Sequence, residues 1–379
     1  MFSRLKSIFK PRLKAMNVIS INKKTILQNF TILQQLQPQS GIFPILKSNA
    51  YGHGLLQMVK ILRRLDVPYL AVDSFPEYQI VKKYSNKQIL LIWETMLENY
   101  DKFDHRRVAF CVYNIWTLSV LGNSSKEKKI HIFFNTGMNR EWISEDNLPK
   151  FLDELKNYPN ITVEGVMSHL HSADDIHFDG IEEQVKKFKT MYHMVLDYGH
   201  APLRRHIGNS AGIFKIHGEF FNAWRPGLAL YGYNPLRPDD PAFKKAKSLT
   251  PALSISSRII SLPIARPGEW VSYHQTYKPY DRELIATIPF GYAEWLDRHA
   301  SGGIFFKRGK KYIQQVGTIC MNLCCCKIDD PLAKIGDKVE IISPSSTAKN
   351  SIQALADASG TIVYESLVRL DKTIRREII

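Results

Sequence analysis

Apolar and polar positions alternate in blocks along the first two thirds of this chain. Short apolar runs lie at residues 42–46, 69–72, 89–93, 108–113, 130–134, 163–167, 205–207 and 228–231. Between them stand stretches with apolar residues three and four apart, among them 54–65, 147–157 and 181–198. Runs of that length bounded by turn residues read as buried strands, and the stretches between them as amphipathic helices. Asn22 precedes Ile26, Phe30 and Leu33 at helical spacing and reads as a helix cap. Ser74-Phe-Pro-Glu77 has the spacing of a capping box, with proline inside the first turn. Residues 17–21 read as a further short strand.

Eight strand candidates separated by helices predict an α/β fold that opens with a (β/α)8 TIM barrel, over residues 17–240. The 17–21 strand is free to join a neighbouring β domain. A proline-rich connection at 234–241 marks a boundary. Beyond it the pattern shortens to strand-like runs at 253–262, 284–289, 303–306, 312–319 and 339–342, then helical pieces at 352–358 and 362–370. Residues 241–379 therefore read as a mainly-β C-terminal domain.

Composition narrows the partners. Net charge is +15, but the basic residues are dispersed and no nucleic-acid motif accompanies them, which argues against nucleic acid as a partner. No apolar run reaches the roughly 18 residues that cross a bilayer, so no membrane partner is expected. Residues 1–16 carry Arg4, Lys6, Lys10, Arg12 and Lys14 without an acid and read as a disordered basic arm or an over-long start, with a transit-like leader as the alternative. Cys111, Cys320 and the run Cys324-Cys325-Cys326 fit neither a disulfide framework nor metal spacing. Reduced thiols in a cytoplasmic protein are the expectation, with no metal.

In barrels of this kind the chemistry sits at the carboxyl ends of the strands. Lys47, Arg140, His169, Asn209 and Arg225 all follow apolar runs, which groups them as one candidate site. A lysine held there among apolar neighbours loses solvation and becomes a better nucleophile, as a Schiff-base lysine requires. Taken singly, each of these residues also reads as a surface or packing group.

The stretch Lys47-Ser-Asn-Ala-Tyr-Gly-His-Gly54 resembles the pyridoxal phosphate (PLP) lysine signature of the alanine racemase family, and the resemblance runs through nearly the whole chain. It implies PLP on Lys47 and a phosphate contact from Tyr51. Asn135-Thr-Gly-Met-Asn-Arg140 resembles the unit whose arginine contacts the cofactor's phenolic oxygen and helps bind substrate. His169 matches the histidine beside the pyridine ring. Asn209-Ser210-Ala211 resembles the loop whose serine binds phosphate. Trp224-Arg-Pro-Gly-Leu228 resembles the stretch whose arginine, here Arg225, faces the pyridine nitrogen while Gly227 and Leu228 cradle phosphate. In the second domain Tyr273 matches the tyrosine base, Tyr292 the tyrosine at the substrate entrance and Met321 the methionine whose N–H binds the substrate carboxylate. Tyr364-Glu365 matches the C-terminal cofactor-side pair.

The resemblance implies a homodimer whose subunits share their sites and interconvert L- and D-alanine for peptidoglycan. Lys47 serves one face of the substrate and Tyr273 of the partner subunit the other. A free tyrosine has a pKa near 10, so a cationic neighbourhood is expected to lower it, with His169 and Arg225 as candidates. Three positions depart from the family pattern. Phe133 stands where a lysine, often carbamylated, is usual, while Asn322 and Glu294 each replace an aspartate. These departures leave open a racemase of broader amino-acid range. A PLP-dependent decarboxylase and a non-catalytic PLP-binding protein are further alternatives. The first lacks its own carboxylate-handling motifs here, and the second does without the β domain.

Overall fold

The computed structural model describes residues 14–176 and 180–379. The basic arm expected over residues 1–16 lies, up to residue 13, outside the described residues. Residues 22–252 form one compact unit, and residues 14–21 with 253–377 form another. The strand β1 (Val18–Ile21) belongs to the second unit, where it pairs antiparallel with Leu253–Arg258.

The first unit is the barrel. Its strands are β2 (Gly41–Ile42), β3 (Leu70–Val72), β4 (Ile89–Leu91), β5 (Val108–Val112), β6 (Lys128–Phe133), β7 (Ile161–Met167), β8 (Arg204–His206) and β9 (Ala223–Trp224). Strands β3 to β8 form one parallel sheet in chain order, and β2 pairs parallel with β9. Backbone bonds close the ring. Ala71 N–H donates to Pro44 C=O at 2.9 Å and Leu46 N–H to Ala71 C=O at 2.8 Å, joining β3 to the residues after β2. Arg225 N–H donates to Gly208 C=O at 3.0 Å and Asn222 N–H to Arg205 C=O at 3.1 Å, joining β8 to β9. Closure leaves no strand edge, and each strand then delivers its next residues to the same rim.

The expected eighth strand at 228–231 is displaced. Those residues instead form successive turns, with Leu230, Tyr231 and Gly232 N–H donating three residues back. The strand is β9, five residues earlier in the chain, at Ala223–Trp224. Leu228, Ala229, Leu230 and Tyr231 are all buried, so their apolar character reports burial and not extension.

Inside the barrel Phe43, Ile45, Tyr69, Ala71, Leu90, Ile92, Ala109 and Ala223 pack as one cluster. The helix cap at Asn22 forms, its side chain accepting from Thr25 N–H at 3.0 Å. Helices Leu55–Leu62, Leu148–Leu155 and Ile181–Asp197 occupy three of the expected stretches. Among the described residues no helix is long and apolar enough to cross a membrane.

The second unit is one antiparallel sheet. Its strands are β10 (Leu253–Arg258), β11 (Ile264–Ala265), β12 (Glu283–Ile288), β13 (Phe305–Arg308), β14 (Lys311–Val316), β15 (Cys324–Ile328), β16 (Lys338–Ile342) and β17 (Arg375–Ile378), with β1 between β10 and β17. The cysteine run forms β15, which sequence reading did not identify as a strand. Cys324 and Cys326 face the core while Cys325 is half-buried, the two-residue period of a pleated strand. All five cysteines are unbridged.

Candidate functional site

Lys47 follows β2 after the four residues 43–46 and starts an unusual turn. Ser48, Asn49, Ala50 and Tyr51 all have φ between 50° and 56°, left-handed backbone in residues that are not glycine. Each costs about 1–2 kcal/mol relative to the right-handed form. External bonds offset the strain. Ala50 N–H donates to Leu46 C=O at 2.9 Å, and Asn49 Oδ1 accepts Leu55 N–H at 2.8 Å, tying the turn to the helix that follows. Glu77 accepts Asn49 N–H at 3.0 Å from the next βα unit.

The Glu77 bond corrects a sequence expectation. Ser74 makes no side-chain cap bond, and Glu77 turns to the Lys47 loop and to Asp73 N–H at 3.4 Å. Burial pushes the Glu77 carboxyl up to about 7; the Asn49 N–H pulls it back and Asp73 adds to the rise. Between the ordinary 4.5 and about 7 the folded chain thus keeps a proton that the unfolded chain has released. Stability contributed through this group falls as pH rises across that window. Glu77→Gln cannot ionise, so its melting temperature relative to wild type should climb by up to a few degrees between about pH 5 and pH 7.5. A difference independent of pH would show that Glu77 does not titrate there.

Around Lys47 the barrel rim carries charges of both signs. Burial lowers the Lys47 ammonium, Asp73 opposes, and Arg140 adds to the lowering. Lys47 Nζ lies 4.6 Å from the centroid of the Trp93 ring. Arg140 forms a two-point pair with Glu141, its Nη2 donating to Oε1 at 2.6 Å and its Nε to Oε2. Phe133 is buried against Cys111 and Met167 and offers no polar group. Glu141 therefore steadies Arg140 in this chain.

Arg225 is 4% exposed and meets no carboxylate among the described residues. Its Nη1 donates to His206 Nδ1 at 2.6 Å and to His206 C=O at 2.9 Å; its Nη2 donates to the carbonyls of Ser168 and Ile207. A guanidinium can only donate, so His206 carries its proton on Nε2. That nitrogen lies 2.7 Å from His131 Nδ1, which puts the His131 proton on Nε2, where it finds no partner among the described residues. Burial pushes Arg225 down to about 10, still a cation at neutral pH. Burial, then Arg225, Arg140 and Lys47, push His169 down to about 3. His169 is therefore neutral, which removes it as a cation that could lower a tyrosine pKa.

An anion cradle completes this rim. Ser210 is 3% exposed, and its hydroxyl accepts Gly227 N–H at 2.9 Å and Ala229 N–H at 3.2 Å. A Cβ on Gly227 would stand 2.4 Å from the Tyr51 hydroxyl, so only glycine lets that hydroxyl approach the backbone. Leu228 is buried between the two donating amides. Burial, aided by Asp73, pushes Tyr51 up to about 12 and keeps it a donor. Asn209 spends Oδ1 on Ala211 and Gly212 N–H, both at 3.1 Å, and so shapes the Ser210 turn. Hydroxyls, a close glycine and backbone amides are gathered here, groups of the kind that suit phosphate.

Tyr273, Tyr292, Met321 and Tyr364 lie in the second unit. Tyr273 is 65% exposed, between Ser272 and His274, whose φ values are 68° and 65°. Tyr292 N–H donates to Cys320 C=O at 3.1 Å and Ala293 N–H to Met321 C=O at 2.8 Å, which sets Tyr292 and Met321 side by side. Two departures from the family pattern meet there. Glu294 accepts Asn322 Nδ2 at 2.9 Å and Gly291 N–H at 2.8 Å, a neutral donor on the carboxylate where two aspartates would repel. Tyr364 lies on the short helix Val363–Val368, beside Glu365, which pairs with Arg369 at 2.6 Å. Sequence reading missed Glu77 as a support of Lys47. Its only local signal was a capping spacing, spent on the wrong partner.

The family model "Alanine racemase, N-terminal domain" matches residues 21–235, and "Alanine racemase, C-terminal domain" matches residues 252–378. The chain is 29% identical over 363 residues to alanine racemase 1 of Clostridium acetobutylicum, covering 94% of this chain and 93% of that protein. A solved alanine racemase of Clostridium difficile 630 superposes with a TM-score of 0.89 at 25% identity, over 97% of each chain. One from Bacillus anthracis with bound L-Ala-P gives 0.88 at 27%, over 97% of this chain and 96% of that one.

Proposed function

Because the chain belongs to the alanine racemase family, we propose that it interconverts L- and D-alanine with PLP, and that Lys47 and Tyr273 are its two proton-transfer groups. The observation that carries this reading is the barrel rim, where a desolvated lysine and the Ser210–Gly227–Tyr51 cradle belong to adjoining βα loops. Those residues fit the cofactor. Tyr51, Ser210 and the Gly227–Leu228 backbone would hold its phosphate, His169 would pack beside its ring, and Arg225 would face its ring nitrogen. Asn209 would hold the Ser210 turn, and Tyr364 would stand on the phosphate side. When bound, PLP stabilises the charge left as the α-proton departs.

The chain's own groups do the rest. Lys47 Nζ, lowered by burial, takes and returns a proton on one face of the substrate. Tyr273 Oη serves the other face. Arg140, steadied by Glu141, and the Met321 N–H orient the substrate carboxylate, with Tyr292 at the entrance. Arg225 is a fixed cation that cannot readily release a proton, so a ring nitrogen facing it would stay unprotonated. A coupled assay reading D-alanine formed from L-alanine tests the reaction. No D-alanine from protein loaded with PLP would overturn it. The Glu294–Asn322 pair beside Met321 favours a second reading, a broader substrate range, which a panel of L-amino acids in the same assay tests.

The reading includes a cytoplasmic homodimer that supplies D-alanine to peptidoglycan, with each barrel completed by Tyr273 of the partner subunit. Mixing inactive Lys47→Ala chains with inactive Tyr273→Phe chains should then regenerate one intact site per heterodimer. About a quarter of wild-type activity is expected at equal mixing, since half the dimers are mixed and each holds one of two sites. No recovery after proven subunit exchange would mean that each site is built within one chain.

A further inference from the structure

Tyr273 makes little side-chain contact in its own unit. The residue is 65% exposed, and among the described residues its one ring neighbour is His274, 6.3 Å away at 61°. The backbone must therefore aim the phenol, and that backbone is strained. Ser272, His274 and Gln275 have φ of 68°, 65° and 53°, three left-handed residues that are not glycine around one tyrosine. Such a loop persists only where surrounding groups over-determine it.

Thr318 is the group that does so. It is 5% exposed, a buried hydroxyl within the buried stretch 315–319. Its Oγ1 donates to Tyr273 C=O at 2.8 Å and lies 3.3 Å from Thr276 Oγ1. Its carbonyl accepts the Ser272 hydroxyl at 2.5 Å. One residue thus holds the loop before, at and after Tyr273. The approach is close: a Cβ on Gly317 would stand 2.5 Å from Val271 O, and Gly317 itself has φ of 67°. Three residues further on is Met321, and the intervening Cys320 lies with its Sγ 3.3 Å from the Ser272 hydroxyl. The tyrosine loop and the carboxylate-binding segment are braced against each other at this position.

We propose that Thr318 is a positioning residue that aims Tyr273 as the base for the L enantiomer. This rests on the reading of Tyr273 as one of two bases. Removing the hydroxyl releases the Tyr273 carbonyl and lets the strained residues relax, while Lys47 keeps its own supports on the barrel. A misplacement of about 1 Å costs up to about 100-fold in a positioned step.

The test compares Thr318→Val, which keeps the shape and loses the hydroxyl, with Thr318→Ser, which keeps the hydroxyl. Loss of deuterium from α-deuterated L- and D-alanine is followed separately in each holoenzyme at saturating substrate, and hydrogen exchange of the 270–278 backbone is read by mass spectrometry. For Thr318→Val the expected result is a 10- to 100-fold slower loss from the L isomer, little change from the D isomer and faster backbone exchange in that peptide. Thr318→Ser should restore all three. Equal slowing from both enantiomers, or faster backbone exchange without slower loss from the L isomer, would overturn the positioning role. If wild-type holoenzyme washes deuterium from neither isomer, the racemase reading falls, and the role of Thr318 with it.

Discussion

Lys47→Ala should bind no PLP covalently and should lose racemisation altogether. Borohydride reduction of the wild-type holoenzyme followed by peptide mapping should place a single phosphopyridoxyl group on the peptide carrying Lys47. The variant should carry none. The expected loss is large because one side chain performs two tasks. It anchors the cofactor and it is a proton-transfer group, and a positioned base alone contributes about 10²–10⁴-fold, or roughly 2.7–5.4 kcal/mol of barrier. Lys47 meets the physical requirement for both, since burial lowers its ammonium and so raises the share of free amine. The fold should survive, because the left-handed turn is held by the Glu77–Asn49 and Asn49–Leu55 bonds and not by the lysine. A label on another lysine, or racemisation retained in Lys47→Ala, would remove Lys47 from the mechanism.

Tyr273→Ala should separate the two directions of proton abstraction. Lys47 should still exchange the α-proton of D-alanine, while exchange from L-alanine should fall by about 10²–10⁴-fold. Net racemisation in both directions must fall together, since the equilibrium between enantiomers is fixed by symmetry. Only isotope washout from each isomer taken alone exposes the asymmetry. Equal washout from both would mean that a single base swings between faces. Of the two cations expected beside the cofactor, His169 is held neutral. Arg225 retains its charge at neutral pH and is the remaining candidate of the two.

The same physics explains what could be read in advance. Six of the eight barrel strands, β2 to β7, fall on short apolar runs, because strands covered on both faces are mostly apolar. Strand β8, by contrast, is Arg204-Arg205-His206 and is placed only by the count of strands. The Lys47 motif was legible as well, since strand, lysine, small residues and glycines are contiguous in the chain. The eighth strand was not. Residues 228–231 are as buried as any strand, and apolar character records burial without recording whether the backbone is extended or turned. In β15 the two-residue period is present, but cysteine is a weak sign of extended backbone.

What the sequence by itself determined, then, is the alternation that builds a barrel, the β-rich character of the second half and the residue types at the rim. These depend on period and on contiguous motifs, which are local. Tertiary structure decided which groups support them. Glu77 reaches Asn49 across 28 positions, His131 meets His206 across 75, and Thr318 holds Tyr273 across 45. The tautomers of His131 and His206, the neutrality of His169 and the Glu294–Asn322 pair follow from such meetings. A hydrogen bond acts over about 3 Å and burial removes water only once the chain has closed around a group. Neither leaves a periodic trace along the chain, so both come into being only when the fold does.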